Sequence, residues 1–417
     1  MPGLNRRQFG GLSLVAGASA RRILSAPAVT IDLHGFLQKQ RIPAAAAMVA
    51  REDAVLYEGA SGMRDSSSGV RVTPDSIFDI ASMTKAITTT AAMQLVERGK
   101  LSLDEPASKW LPELAHLNIL DGFDKSGRPI LRPAVIPVTL RHLLSHSSGF
   151  AYDTWNEQMW RYSEHTIGRA GDAYPNSMWG RAPLPLMFEP GTGWQYGPSA
   201  DWTARLVEVA SGQSLDRYFA ANIFGPLDMK DTVYVLSAEK VSRAISQYAR
   251  QKDGLLKQLP RKPPAPPKAF YGGSGLHSTV RDYTRFMQMI LRQGLGAGKE
   301  PILQPASVAG MATNQIGKIS AGKCRNFFPA QGWHDITFHP GFIDGFTLGF
   351  LVNSVRYEGG RSAGSLAWAG GWNSFYWIDP ARGLCAVIMM QFQPFYDPAA
   401  VAVLNDFEKA VYECGRW

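Results

Sequence analysis

The strongest constraint on what this chain can fold into is where its strand-like segments lie. Three stand near the C-terminus: Phe346–Val352, Asn373–Ile378 and Leu384–Gln391. Two stand near the N-terminus, Ala44–Ala50 and Val55–Gly59, joined around Arg51-Glu52-Asp53. Apolar, aromatic and β-branched runs bounded by turn residues are what strands need, and Asp379-Pro-Ala-Arg-Gly383 supplies hairpin chemistry between the last two. The middle of the chain reads differently. Helices are expected over Ile31–Gln38, Ser82 to about Arg98, Leu140–Ser145, Trp202–Ser211, Leu215–Ala221, Ser278–Gln293 and Pro398–Glu413. Thr139 and Thr279 or Ser278 stand as N-caps, and Gly99 follows the second helix as a C-cap. Leu101–Pro106 opens a long helix-and-loop region. Lys257–Lys268 carries five prolines and reads as a surface loop or extended arm. Strands at both ends with helices between them predict one mixed sheet drawn from both termini, with a helical insertion.

Composition narrows the function classes. The 417 residues are 45% hydrophobic and 19% charged, a globular balance with ample material for a core. The net charge of +8 is scattered, with no run of five or more basic residues, which argues against nucleic-acid binding. Cys324, Cys385 and Cys414 lie far apart and show no metal-ligand spacing, so no thiolate zinc site is expected.

The N-terminus has its own logic. Arg6-Arg7-Gln8-Phe9 precedes a short Gly/Ala-rich apolar run to Ala20, then Arg21-Arg22 and Ala26-Pro27-Ala28. The run is too short to span a bilayer, so residues 1–28 read as an export signal. The paired arginines resemble a twin-arginine signal, which implies a folded, periplasmic or secreted product with no stable membrane insertion once the signal is removed. Cleavage after Ala28 would remove Arg6, Arg7, Arg21 and Arg22 and lower the charge from +8 to +4.

Chemistry enters at Phe78-Asp-Ile-Ala-Ser82-Met-Thr-Lys85. At the start of an amphipathic helix, positions i and i+3 share a face, so the Ser82 hydroxyl and Lys85 amine can enter one cleft. A serine needs a neighbour to take its proton, and a lysine whose charge is disfavoured can do so. The tetrapeptide alone is equally an ordinary helix start with Ser82 as its cap. Further segments supply partners. Gly191-Thr-Gly-Trp-Gln-Tyr196-Gly-Pro198 places a phenol in a Gly/Pro-bounded turn, where an ammonium would stabilise its phenolate as a general base. Trp368-Ala-Gly370-Gly371, placed at the edge of the C-terminal sheet, offers glycines whose N–H groups a substrate can approach. Leu144-Ser-His-Ser-Ser-Gly149 ends a helix and could buttress the pocket floor.

Together with Glu189-Pro-Gly191 and Gly272-Gly-Ser-Gly-Leu276, these segments resemble the serine β-lactamase and penicillin-binding-protein superfamily, in particular its esterase branch of family VIII carboxylesterases and related acyltransferases. The resemblance implies an α+β fold: an antiparallel sheet of N- and C-terminal strands flanked by helices, with a mainly helical subdomain beside it. On this chain that divides residues 29–417, a single catalytic domain, into a sheet part at about 29–80 and 275–417 and a helical part at about 86–274. It implies Ser82 as the acylated nucleophile and Lys85 and Tyr196 as its proton-relay partners. The backbone N–H groups of Ser82 and Gly371 would form the oxyanion hole beside Trp368 and Gly370. No metal or organic cofactor is implied; the partner is a small ester or acyl substrate. No pattern bears on oligomeric state.

Two positions depart from the β-lactamase pattern. Pro198 stands where an asparagine amide binds the substrate's acylamino group, and Trp368 where a lysine attracts the β-lactam carboxylate. Both losses remove polar contacts to an anionic amide and favour neutral esters. The aromatics Phe150, Tyr152, Trp155, Trp160, Tyr162, Tyr174 and Trp179 would suit an apolar group, or equally a core. A β-lactamase, D-aminopeptidase, DD-peptidase or acyltransferase could use the same site. A non-catalytic envelope binding protein is the alternative of a different class. His146 reads as structural, Glu189 as a turn residue, and His334/His339 as a poor metal pair.

Overall fold

The structure is a computed structural model that describes residues 31–65, 69–166, 184–260, 267, 269–327 and 333–413. The signal segment 1–28, Tyr174, Trp179, most of the proline arm and Cys414 lie outside the described residues.

Eight strands form the main sheet: β1 (Ala44–Arg51), β2 (Val55–Asp65), β3 (Val70–Arg71), β4 (Gly345–Phe346), β5 (Leu351–Val352), β6 (Leu366–Gly370), β7 (Ser374–Asp379) and β8 (Leu384–Met389). Their order is β4-β5-β6-β7-β8-β1-β2-β3 and every pairing is antiparallel. The two ends of the chain meet where Ala46–Arg51 pairs with Leu384–Met389. Both strands are buried on both faces because helices cover the sheet on either side. On one side α1 (Leu33–Gln40) lies beside α6 (Pro398–Glu413), with Trp377 of β7 edge-on to Phe407. On the other, α5 (Val280–Leu291) packs on β1 and β8, and the small side chains Ala44–Ala47 let it approach closely. Thr139 caps α3 (Leu140–Leu144) in a capping box with His142, and Thr279 caps α5 by accepting the Asp282 N–H.

The sequence expectation needs five corrections. The Ser82 segment is not an amphipathic helix from Ser82: a 3₁₀ turn covers Ala81–Met83, and α2 runs Thr84–Glu97, buried from Thr84 to Leu95. Threonines survive in this buried helix because Thr88, Thr89 and Thr90 donate their hydroxyls to the carbonyls four residues back. Phe346–Val352 is not one strand but a tight hairpin, turned by Gly349 at φ 95°. The region after Pro106 holds an unforeseen hairpin, Asn118–Phe123 with Pro129–Pro133, closed by an Asp124 carboxylate that accepts the Ser126 and Arg128 N–H groups. The proline arm begins as a strand, Leu256–Gln258, paired with Tyr248–Arg250. Finally, Trp368 lies on β6, an inner strand rather than the sheet edge. Since β5 reaches only Leu366 and Ala367, Trp368–Gly370 is paired on the β7 side alone.

Candidate active site

Three segments converge on the N-terminal end of α2. The first is the turn that presents Ser82. Ala81, just before it, adopts φ 41°, a left-handed conformation that an L-residue with a Cβ takes only at a cost. Hydrogen bonds hold it there: the Ala81 N–H donates to Asp79 Oδ1 at 3.0 Å, the Asp79 N–H to Gln391 Oε1 at 3.0 Å, and the Ile80 N–H to the Leu276 carbonyl at 3.0 Å. Tyr283 O–H of α5 donates to the Met83 carbonyl at 3.0 Å.

The second is the strip Gly272–Leu276, which runs alongside α2. Thr88 Oγ1 donates to the Gly272 carbonyl at 2.8 Å, Lys85 Nζ to the Gly273 carbonyl at 2.8 Å, and the Leu276 N–H to Thr84 Oγ1 at 3.4 Å. The glycines are needed for closeness: a Cβ on Gly272 would stand 2.3 Å from the Ala200 carbonyl oxygen.

The third is the loop carrying Tyr196, which enters α4 (Ser199–Ser211) through Pro198 at its N-cap. Tyr196 O–H donates to Ser82 Oγ at 2.7 Å, and Lys85 Nζ donates to the same oxygen at 3.1 Å. Lys85 Nζ also lies 4.9 Å from the centre of the Tyr196 ring. Ser82, Lys85 and Tyr196, separated by up to 114 residues of sequence, are thus in mutual contact. Trp368 closes the other side of Tyr196 with ring centres 5.0 Å apart. Gly370 lies so near the Ser82 turn that a Cβ would meet the Ile80 carbonyl oxygen at 2.4 Å, and Gly371 sits beside Ala81.

These groups face a cavity of about 250 Å³ that contains Ser82, Tyr196, Gly273, Trp368 and Gly371 in its wall. Tyr152, Trp155, Trp333, Phe338 and Phe395 make up the rest of its aromatic lining, and no charged side chain is among the described residues that form it. Tyr152 and Trp155 belong to the aromatic stretch noted in the sequence. Trp333, Phe338 and Phe395 come from short irregular segments that carry no periodic signal. A larger cavity of about 600 Å³ lies behind Phe338 and Trp368. It holds the Arg361–Glu408 pair but not Ser82 or its partners.

The remaining sequence candidates have other occupations. His146 is buried, at φ 54°, with its ring against Tyr196 and Phe346 at 5.2 and 5.3 Å. Burial, reinforced by the Lys85 charge, pushes it well below the ordinary histidine range, so it is neutral. Glu189 accepts Arg132 at 2.5 Å and the Val135 and Ile136 N–H groups at 3.1 Å, which holds its carboxyl below the usual range. His339 is bonded to Asp344 at 2.6 Å. Cys324 and Cys385 are buried free thiols.

An antiparallel sheet between helical layers, with a serine at the start of the central buried helix, defines the β-lactamase/transpeptidase-like fold. Residues 32–410 match the Beta-lactamase family model, and the chain belongs to that family. Monacolin J acid methylbutanoyltransferase of Aspergillus terreus is 31% identical over 342 residues, covering 80% of this chain and 81% of that protein. Lovastatin esterase of Penicillium rubens is 30% identical over 358 residues, 81% of this chain and 85% of that protein. Simvastatin synthase from Aspergillus terreus superposes on 92% of this chain and 96% of its own with a TM-score of 0.77, at 27% identity.

Proposed function

We propose that this chain is an exported serine carboxylesterase that works on neutral esters through an acyl-enzyme at Ser82. The observation that carries the reading is the double hydrogen bond to Ser82 Oγ from Tyr196 and Lys85 inside an aromatic, uncharged pocket. Ser82 Oγ attacks the ester carbonyl as its proton passes to the Lys85/Tyr196 pair. The backbone N–H groups of Ser82 and Gly371 receive the developing oxyanion, the alcohol leaves with the proton returned, and water then releases the acid. Pro198 and Trp368 leave the pocket without the amide and the cation that an anionic β-lactam would use.

A second reading is supported by the methylbutanoyltransferase relative and by the same apolar pocket: an alcohol rather than water takes the acyl group from Ser82. It uses identical residues and differs only in which acceptor arrives. The export reading rests on residues 1–28 and is tested by N-terminal sequencing of the protein recovered outside the cytoplasm.

A fluorophosphonate probe on the mature protein tests the chemistry. It should label the wild type and not Ser82→Ala, and p-nitrophenyl esters should turn over far faster than nitrocefin. Absence of labelling in a folded wild type would overturn the acyl-enzyme, and a nitrocefin preference would overturn the ester assignment. Adding a primary alcohol and measuring transferred ester against free acid separates the two readings.

A further inference from the structure

A further cavity, of about 280 Å³, borders the residues that hold the Ser82 turn and has no part in the scheme above. It shares no wall residue with the aromatic cavity that contains Ser82. Much of its wall is apolar, from Ile77, Val235, Leu236, Val241, Ile245 and Leu259, and the side chains of Asp79, His277 and Gln391 join them. Asp79 and His277 stand opposite each other in a two-residue antiparallel ladder, so their side chains share a face. Gln391 is only 3% exposed, and its Oε1 accepts the Asp79 N–H at 3.0 Å. Asp79 Oδ1 in turn accepts the Ala81 N–H at 3.0 Å. Three polar atoms are left over. Gln391 Nε2 and His277 Nδ1 are buried with no hydrogen-bond partner among the described residues, and Asp79 Oδ2 accepts no hydrogen bond from them either. A buried donor that nothing accepts is costly, and a polar ligand atom placed against it removes that cost.

We propose that this cavity is a second ligand site, which takes a neutral medium-chain alcohol. The alcohol oxygen accepts from Gln391 Nε2 and donates to Asp79 Oδ2, and the chain lies against the apolar wall. Because the Gln391 amide is bonded to the Asp79 backbone, the two groups are neighbours that one ligand atom can serve. A hydroxyl donates and accepts through a single uncharged atom, which is what an amide N–H beside a carboxyl oxygen calls for. A carboxylate head would set one carboxyl group against another. An ammonium head has no lone pair for the Gln391 donor. The size agrees: about 280 Å³ is nearly twice the roughly 150 Å³ that takes up benzene, enough for a chain of roughly six to ten carbons. An alcohol seated there touches the residues that hold Ala81, and does so from outside the aromatic cavity.

Photo-cross-linking of the wild-type protein with a diazirine-bearing octanol, mapped by mass spectrometry, is the test. Saturable labelling within residues 235–245 that 1-octanol competes away supports the proposal, whether or not the aromatic cavity is labelled as well. Labelling confined to Tyr152, Trp333, Phe338 and their neighbours, or labelling at 235–245 that does not saturate, overturns it. Octanoate, which carries the same chain on a carboxylate, should need at least about tenfold more to compete at 235–245, and equal potency would overturn the choice of a neutral alcohol. Val241→Trp fills the cavity from its half-buried helix and should abolish labelling of Leu236 and Ile245 while leaving ester turnover at the wild-type level. Undiminished labelling in that variant would overturn the placement. If Val241→Trp does not fold, the wild-type map and the octanoate comparison decide alone. Neither reagent needs Ser82 to react, so the outcome is independent of the acyl-enzyme reading.

Discussion

Replacing Tyr196 by phenylalanine is the cleanest perturbation of this site, because the ring and the hydroxyl do different jobs. The ring packs on Trp368, His146 and Tyr152 with centres 5.0, 5.2 and 5.2 Å away, and phenylalanine keeps all three contacts. The hydroxyl makes the 2.7 Å bond to Ser82 Oγ, and only that is lost. One uncharged hydrogen bond is worth about 1 kcal/mol of stability, so the melting temperature should fall by only a few degrees. Its share of proton transfer is larger. General acid–base groups contribute about 10²-fold or more, so kcat for p-nitrophenyl butyrate should drop at least that far, equivalent to about 2.7 kcal/mol of transition-state stabilisation. KM should barely move, because the hydroxyl handles the serine proton rather than the substrate. A folded Tyr196→Phe enzyme that keeps more than a third of wild-type kcat would refute the role.

Three other perturbations follow from the packing. Gly370→Ala would place a Cβ 2.4 Å from the Ile80 carbonyl oxygen, a backbone atom that cannot swing aside. It should cost about 1–3 kcal/mol in urea unfolding together with most ester turnover, and near-normal values of both would show that the approach is looser than drawn. Trp368→Ala should open the acyl pocket toward the larger cavity behind it and raise the ratio of octanoate to butyrate ester turnover by roughly tenfold; an unchanged ratio would remove Trp368 as the wall. Asp231, partly exposed and bonded to Arg243 and Lys240, is held down to about 2 first of all by the Arg243 hydrogen bond. Its folded pKa lies below the unfolded value of 3.8, so its stabilisation is present above that pH and is lost as the pH falls toward 2. After allowance for solvent screening, Asp231→Asn should cost about 1 kcal/mol at neutral pH and less at pH 3 or so, and a gap that stays constant would break the linkage.

What the sequence made legible follows from how local each signal is. The apolar run Leu384–Gln391 and the Thr139 cap are local statements about burial and backbone donors; the strand forms over Leu384–Met389 of that run, and Thr139 caps its helix. The 3-residue step from Ser82 to Lys85 was legible as a shared face. Its 3₁₀ geometry was not, because the left-handed Ala81 is held through its neighbours Asp79 and Ile80, which are fixed by Gln391 and Leu276 from elsewhere in the fold. Tyr196 reached Ser82 in the sequence reading only through resemblance to a family, since no spacing rule spans 114 residues. Trp333, Phe338 and Phe395 were illegible for the opposite reason: they sit in irregular backbone, where neither period 2 nor period 3.6 marks a face. Asp201 was visible as a residue but not as a buried carboxyl, because the Gly273 N–H it accepts lies 72 residues further along.

That glycine strip also explains how the site stays rigid around a strained turn. Ala81 in the left-handed region costs about 1–2 kcal/mol, and a residue with a Cβ persists there only when its surroundings over-determine it. They do so from three directions. Asp79 and Gln391 hold the N-terminal side of the turn, Leu276 holds Ile80, and Tyr283 from α5 holds Met83. The Gly272–Leu276 strip then fastens the exit of the turn to the first two turns of α2 through Thr84, Lys85 and Thr88. The anchors outside the turn come from Gln391, from α5 and from the glycine strip, so no single loop motion can relax the turn without breaking contacts to the others. The sequence distance between Ala46–Arg51 and Leu384–Met389 therefore has a use. Pairing the two ends of the chain at the centre of the sheet brings the Ser82 turn, which follows the N-terminal strands, against Gly370 of β6 and against Gln391 just beyond β8. A serine on a turn clamped from both ends of the chain keeps one orientation toward Tyr196 and Lys85, 2.7 and 3.1 Å away, and pre-organisation of that kind is what the proposed proton transfer would require.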